Sequence, residues 1–117
     1  MKTLLLIDDE NEVRESLSLF INRHCGIQVL QAATGKQAID SYKAHKPDCV
    51  FLDLGLPDMD GLKVLQEIRA QDPQAKVYIV TGNDNHKVED QAYSLGALKC
   101  VYKPVQLAEV AEIAKNI

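Results

Sequence analysis

Short apolar runs alternate along the chain with segments of helical period. Leu4-Leu5-Leu6-Ile7 is continuous and stops at Asp8-Asp9-Glu10. Without every-second-residue alternation, it reads as a central parallel strand covered on both faces. From Glu12 the period changes. Val13, Leu17, Phe20 and Ile21 predict a helix with Asp9 or Asn11 as its cap, an acidic first turn suited to the positive end of the dipole, and a stop at His24-Cys25-Gly26. Gln28-Val29-Leu30-Gln31 is a second strand whose polar members place it at an edge. Thr34-Gly35 opens a second helix, with Thr34 as cap and Ala38, Ile39 and Tyr42 inward, and Pro47 closes the connection.

Cys49-Val50-Phe51-Leu52 is a third strand ending on Asp53. A loop with Pro57 and Asp58 follows. The third helix begins near Gly61 with Asp60 as cap; Leu62, Leu65 and Ile68 form its stripe, Val64 flanks it, and Pro73 lies beyond its end. Val77 to Val80 is a fourth strand leading to Thr81-Gly82. The polar Asn83-Asp84-Asn85-His86 opens a sparsely apolar fourth helix through Val88, Ala92, Tyr93 and Leu95, which Gly96 ends. Leu98 to Tyr102 is a fifth strand, Lys103-Pro104 follows, and Leu107, Val110, Ile113 and Ala114 mark a last amphipathic helix. Strand and helix thus alternate five times with short connections. That pattern predicts an α/β fold, a doubly wound five-stranded parallel sheet with helices on both faces.

The size, 117 residues with 46% hydrophobic positions, is that of one domain with a modest core, spanning residues 1–117. A net charge of −4 argues against a nucleic-acid or anionic-membrane surface. No apolar run approaches the roughly eighteen residues of a membrane span, and the four apolar residues Leu4–Ile7 are too few for a signal peptide. Cys25, Cys49 and Cys100 make no disulfide framework, which fits a reducing, cytoplasmic setting. His24, His45 and His86 are not spaced as ligands and read as solvent-facing; Lys36, Lys43 and Lys46 read as a solvated helix face.

Four of the five strands end on a residue with chemical capability: Asp8-Asp9, Asp53, Thr81 and Lys103. In an open α/β sheet ligands sit outside the carboxyl ends of the strands where strand order reverses. The order 2-1-3-4-5 would bring these four ends together and leave strand two at the edge. Taken singly, each residue is a turn, a cap or a loop; their coincidence at one end of successive strands points to chemistry. Three carboxylates crowded at one place call for a cation, and hard oxygen donors suit Mg²⁺ rather than zinc. A lysine, a hydroxyl and free backbone N–H groups after Asp53 would receive the oxygens of a phosphoryl group, which a carboxylate can itself accept as an acyl phosphate.

With Asp8-Asp9 after Leu4–Ile7, Asp53-Leu54 with Leu56-Pro57 and Gly61, Thr81-Gly82, Gly96-Ala97 and Lys103-Pro104, the chain resembles the receiver domain of bacterial two-component response regulators from Lys2 to about Asn116. The resemblance implies the flavodoxin-like receiver topology and a phosphorylation-dependent switch in a phosphorelay. Asp53 would take the phosphoryl group from a phosphohistidine of a sensor histidine kinase or phosphotransfer protein. Asp9 would ligate Mg²⁺ (or Mn²⁺) directly and Asp8 mainly through water, with Asp53 and the Gly55 carbonyl as further ligands. Thr81 would contact the phosphoryl group, Lys103 would pair with it, and a cis peptide would precede Pro104. The domain would catalyse its own phosphorylation and dephosphorylation without turning over an external substrate. Gly55 and Asn83 would tune the lifetime.

One position departs from the family pattern. The switch aromatic expected three residues before the lysine is Cys100; Tyr102 is the nearest aromatic and shares its strand face. Phosphorylation should survive this change, while coupling to the fourth helix and fifth strand should differ. Output would run through the fourth helix, fifth strand and fifth helix, to a homodimer, to a domain after residue 117, or to a separate target protein. Two other readings compete. One is a degenerate receiver that binds partners without phosphorylation. The other is an aspartate phosphatase, which would need a second carboxylate where Gly55 stands.

Overall fold

The computed structural model describes residues 2–82 and 86–117. Elements follow in the order β1 (Thr3–Ile7), α1 (Asn11–Cys25), β2 (Gln28–Ala32), α2 (Gly35–His45), β3 (Cys49–Asp53), α3 (Gly61–Gln71), β4 (Val77–Thr81), α4 (His86–Ser94), β5 (Lys99–Tyr102) and α5 (Leu107–Lys115). The five strands form one sheet in the order β2-β1-β3-β4-β5, all neighbours parallel. The polar β2 is at one edge and half exposed, as its sequence predicts.

Apart from their ends, the central strands are apolar because each of their faces has a helix layer to meet. Leu5 and Ile7, Val50 and Leu52, and Val77 and Ile79 pack with Ala38 and Tyr42 of α2, Val64, Leu65 and Ile68 of α3, and Ala92 of α4. On the other face Leu4, Leu6, Cys49, Phe51, Val80 and Val101 meet Leu17 and Ile21 of α1 and Val110, Ile113 and Ala114 of α5. Burial pushes the Cys49 thiol up to about 12, which keeps it protonated and inert.

Several local expectations hold. Thr34 caps α2 by accepting the Gln37 N–H, and Asp60 caps α3 by accepting that of Leu62. Gly26 closes α1 in the left-handed region at φ 67°. The three histidines are exposed. Others are corrected. Neither Asp9 nor Asn11 caps α1: Glu10 holds the cap position with no side-chain bond, and Asn11 Oδ1 accepts from Arg14 Nη2. The carboxylate that turns back is Asp8, whose Oδ1 takes the Glu10 N–H two residues on, in the loop before the helix rather than in its first turn. In α3, Val64 joins Leu65 and Ile68 in the core, while Leu62 is only partly buried. Leu98 precedes the fifth strand and is half exposed, as is Leu107.

At the end of the sheet opposite Asp53, Tyr42 is buried and its hydroxyl donates to Asp72 Oδ2 at 2.8 Å. That bond, and the Gln74 N–H, hold the Asp72 carboxyl below the usual carboxylate range. Its contribution is therefore complete above the ordinary carboxylate pKa and fades as pH falls through the lowered value. Tyr42→Phe should cost about 1 kcal/mol at neutral pH. The gap from the parent should narrow in acid, which denaturant unfolding at several pH values would measure.

Candidate phosphoryl and metal site

The carboxyl ends of β1, β3, β4 and β5 converge as the strand order requires. Asp8 follows β1, Asp53 ends β3, Thr81 ends β4, and Lys103 follows β5. Asp8, Asp53 and Thr81 are almost entirely buried, at 2, 6 and 5% exposure, whereas Asp9 is exposed. The parallel register sets Asp53 beside Val80 and Thr81 beside Tyr102. The Lys103 N–H then continues the ladder to the Thr81 carbonyl at 2.9 Å, and the Lys103–Pro104 peptide is cis.

Lys103 Nζ lies 2.9 Å from Asp53 Oδ2, 3.3 Å from Asp8 Oδ2 and 3.5 Å from Glu10 Oε1. The other oxygen of Asp53, Oδ1, accepts the Gly55 N–H at 3.0 Å. That N–H, expected to be free for a ligand, instead orients the carboxylate. Burial raises the Asp8 pKa and the Asp53 charge adds to it, against the Glu10 N–H and Lys103, which pull it down. Burial would lower the Lys103 pKa, but the hydrogen bond and charge of Asp53, then Asp8, overcome it and hold the ammonium above the usual lysine value.

Asp8, Asp9, Glu10 and Asp53 each place a carboxylate oxygen within 4.8 Å of the others. Four hard anionic donors with one ammonium among them form an under-neutralised set. The arrangement suits Mg²⁺ or Mn²⁺ and lacks the nitrogen or sulfur that zinc prefers. Glu10 was not singled out as a site residue from sequence, although it adjoins the aspartate pair. Arg14, also missed, donates from Nη1 to the Asp8 carbonyl at 2.8 Å and from Nε to Gln31, tying the acidic loop to β2.

Beside Asp53 a cavity of about 410 Å³ is lined by Gly55, Thr81, Gly82, Leu62 and Val88 among others. A Cβ at Gly55 would stand 3.7 Å from Asp53 Oδ1, so any side chain there would sit against the carboxylate; glycine leaves it open. Asn83 lies outside the described residues. Cys100 is buried in the face covered by α2, α3 and α4. The phenol beside it comes from the helix, because the Cys100 N–H donates to Tyr93 Oη at 3.1 Å. Tyr102, on the same face, donates from its hydroxyl to Glu89 Oε2, which pushes its pKa up to about 12.

Such a sheet with such a polar cluster defines a class of α/β proteins that bind ligands at the strand ends. Residues 4–115 match the family model of the response regulator receiver domain, and the chain belongs to that family. It is 33% identical over 113 residues to sporulation initiation phosphotransferase F of Bacillus subtilis (strain 168), covering 97% of this chain and 90% of that protein. Among solved structures it resembles a CheY-like response regulator receiver domain protein from Methanospirillum hungatei JF-1, with TM-score 0.95, 25% identity, and 99% and 92% of the two chains covered. It also resembles a response regulator protein from Burkholderia pseudomallei with a phosphorylated aspartic acid, calcium ion and citrate, with TM-score 0.87, 26% identity, and 94% and 64% covered. Among the described residues no helix is long and apolar enough to cross a membrane.

The raised pKa of Asp8 is an unfavourable linkage. Its ionised form is disfavoured in the fold, so stability falls as pH rises from the unfolded value through the raised folded one. Asp8→Asn should therefore raise the melting temperature of the metal-free chain near pH 7, and if Mg²⁺ binds at this cluster it should shrink the stabilisation that the ion adds. Thermal scans with Mg²⁺ and with chelator measure both effects.

Proposed function

We propose that this receiver is a phosphorylation-dependent switch whose phosphoacceptor is Asp53. The observation that carries the reading is the buried Asp53 carboxylate, held by Lys103 and Gly55 at the mouth of a cavity that reaches Thr81. An Asp53 oxygen attacks the phosphorus of a phosphohistidine. The new O–P bond forms as the P–N bond breaks, and the electron pair leaves on the imidazole nitrogen, which takes up a proton. Lys103 then exchanges its carboxylate partner for a phosphoryl oxygen, and the Thr81 hydroxyl donates to another.

Asp9, Asp53 and the Gly55 carbonyl would hold Mg²⁺ or Mn²⁺ directly and Asp8 through a water, with Glu10 adding a fourth carboxylate beside them. The bound ion would offset charge on the transferring oxygens. The same site admits water for hydrolysis of the acyl phosphate. With glycine at position 55 no side chain shields the phosphorus, which supports a lifetime of minutes rather than many hours. The phosphodonor is a sensor histidine kinase or phosphotransfer protein, and the setting is cytoplasmic. Output passes through α4, β5 and α5 to a second copy, a further domain or a separate protein. The phosphorylated aspartic acid and calcium of the Burkholderia pseudomallei structure, and the phosphotransferase name of the Bacillus subtilis relative, support the same chemistry.

Acetyl phosphate with Mg²⁺ should add one phosphoryl mass to the chain. Asp53→Asn or removal of Mg²⁺ should abolish the addition; an unmodified parent chain would sink the reading and leave a receiver that works by binding alone. Cys100→Tyr should leave the uptake rate within about twofold, since Cys100 pairs with Ile79 in the ladder, two positions before the Thr81–Tyr102 pair, but it crowds Tyr93 and should change the affinity gained by a phosphorylation-dependent partner. Uptake rate and partner affinity measured together would separate the two effects; uptake lost in step with affinity would refute this division.

A further inference from the structure

The site depends on a loop, residues 54–60, that has no regular structure of its own. Gly55 in that loop orients Asp53 through its N–H and supplies the carbonyl counted above among the metal ligands. The loop is fastened at two points. At its exit the Gly61 N–H donates to the Leu54 carbonyl at 3.3 Å, and a Cβ on Gly61 would overlap the Leu54 backbone. In its far half, Asp58 reaches across to the first turn of α2, where Oδ1 accepts the Gly35 N–H at 2.7 Å and Oδ2 accepts the Lys36 N–H at 3.0 Å. Met59, the next residue, lies against Gly35 so closely that a Cβ there would overlap its side chain.

This contact adds a second cap to α2. Thr34 already takes the Gln37 N–H from three residues away, and Asp58 takes the two N–H groups that Thr34 leaves. The two caps differ in reach. The Thr34 bond is local to its helix, whereas the Asp58 bonds span 23 and 22 residues and end on the loop beside the phosphoacceptor. Asp58 is itself exposed. Its bonds are charge-assisted and paired, and so fix direction as well as distance.

We propose that Asp58 is a positioning residue: by clamping residues 54–60 to α2 it sets Gly55, and through Gly55 the orientation of the Asp53 carboxylate. This deepens the phosphoacceptor reading and rests on it for the roles of Asp53 and Gly55.

Asp58→Ala and Thr34→Ala remove caps from the same helix end, and only the first touches the loop. Three quantities are read in the whole chain: hydrogen exchange of the Gly55 amide without metal, Mg²⁺ affinity by calorimetry, and acetyl phosphate uptake at saturating Mg²⁺. Asp58→Ala should speed Gly55 exchange roughly fivefold, as loss of a hydrogen bond of ordinary net strength would, and should weaken Mg²⁺ binding and slow uptake. Thr34→Ala should lower the melting temperature and leave all three unchanged. Asp58→Asn, which keeps one acceptor oxygen, should fall between parent and alanine variant and serves if Asp58→Ala does not fold. Parent-like Gly55 exchange in the Asp58 variants, or equal shifts in Thr34→Ala, would overturn the proposal. A parent chain that binds no Mg²⁺ and takes no phosphoryl group would instead remove the phosphoacceptor reading, and Gly55 exchange alone would then decide whether Asp58 positions the loop.

Discussion

The contact between Lys103 Nζ and Asp53 Oδ2, at 2.9 Å, is the interaction around which the site is balanced. Two nearly buried aspartates lie within reach of one ammonium, with Asp9 and Glu10 close by. Like charges so placed repel at an effective dielectric well below that of water. One ammonium cannot neutralise four carboxylates, so the cluster keeps an excess of negative charge. That excess is the charge pattern that a divalent cation would offset. Under the proposed function, the lysine would be the partner that leaves a carboxylate for a more highly charged oxygen group.

Holding that balance requires placement to within about 0.5 Å, and the sheet supplies it. Asp8, Asp53, Thr81 and Lys103 come from four separate strand ends, and the parallel register fixes the strands relative to one another. The strands hold because residues on alternate sides bury into two different helix layers. A slip of one residue would exchange the two layers and scatter the site. The connecting loops are the less rigid part, and there the chain spends polar contacts: Arg14 on the Asp8 carbonyl, Asp58 on α2, and the Gly61 N–H on Leu54.

What the sequence conveyed follows the range of the interactions. Strand continuity and helical period come from residues a few positions apart, and so the ten elements, the edge position of β2 and the Thr34 and Asp60 caps were legible. Asp8, Asp9, Asp53, Thr81 and Lys103 were legible too, because polar residues at the ends of apolar runs stand out. The misses are of two kinds. Asp9 and Asn11 look like caps because several acceptors compete within a few residues, but Asp8, further from the helix, takes the Glu10 N–H and neither of them makes the cap bond. Asp58 and Tyr93 act on partners that only the fold brings near, 22 residues away or across from helix to strand, and nothing in their own neighbourhood marks them. Glu10 adjoined the pair that was recognised and could have been read as part of it.

Cys100 has a consequence for how a signal leaves the site. An aromatic side chain on β5 could turn between buried and exposed positions without moving a helix. Here the phenol next to that position belongs to α4: Tyr93 accepts the Cys100 N–H, and Glu89 of the same helix accepts from Tyr102. Among the described residues α4 buries only Ala92 fully, and these two polar contacts are among the links that join it to β5. Helices with few buried apolar contacts sit at the low-stability end of a fold. A pull on Thr81, at the end of β4 and beside Tyr102 in the ladder, would therefore strain the links to α4 as a unit rather than rotate a single ring. Under the proposed switch, rearrangement would then move the helix itself, with Tyr93 and its half-exposed ring carried along.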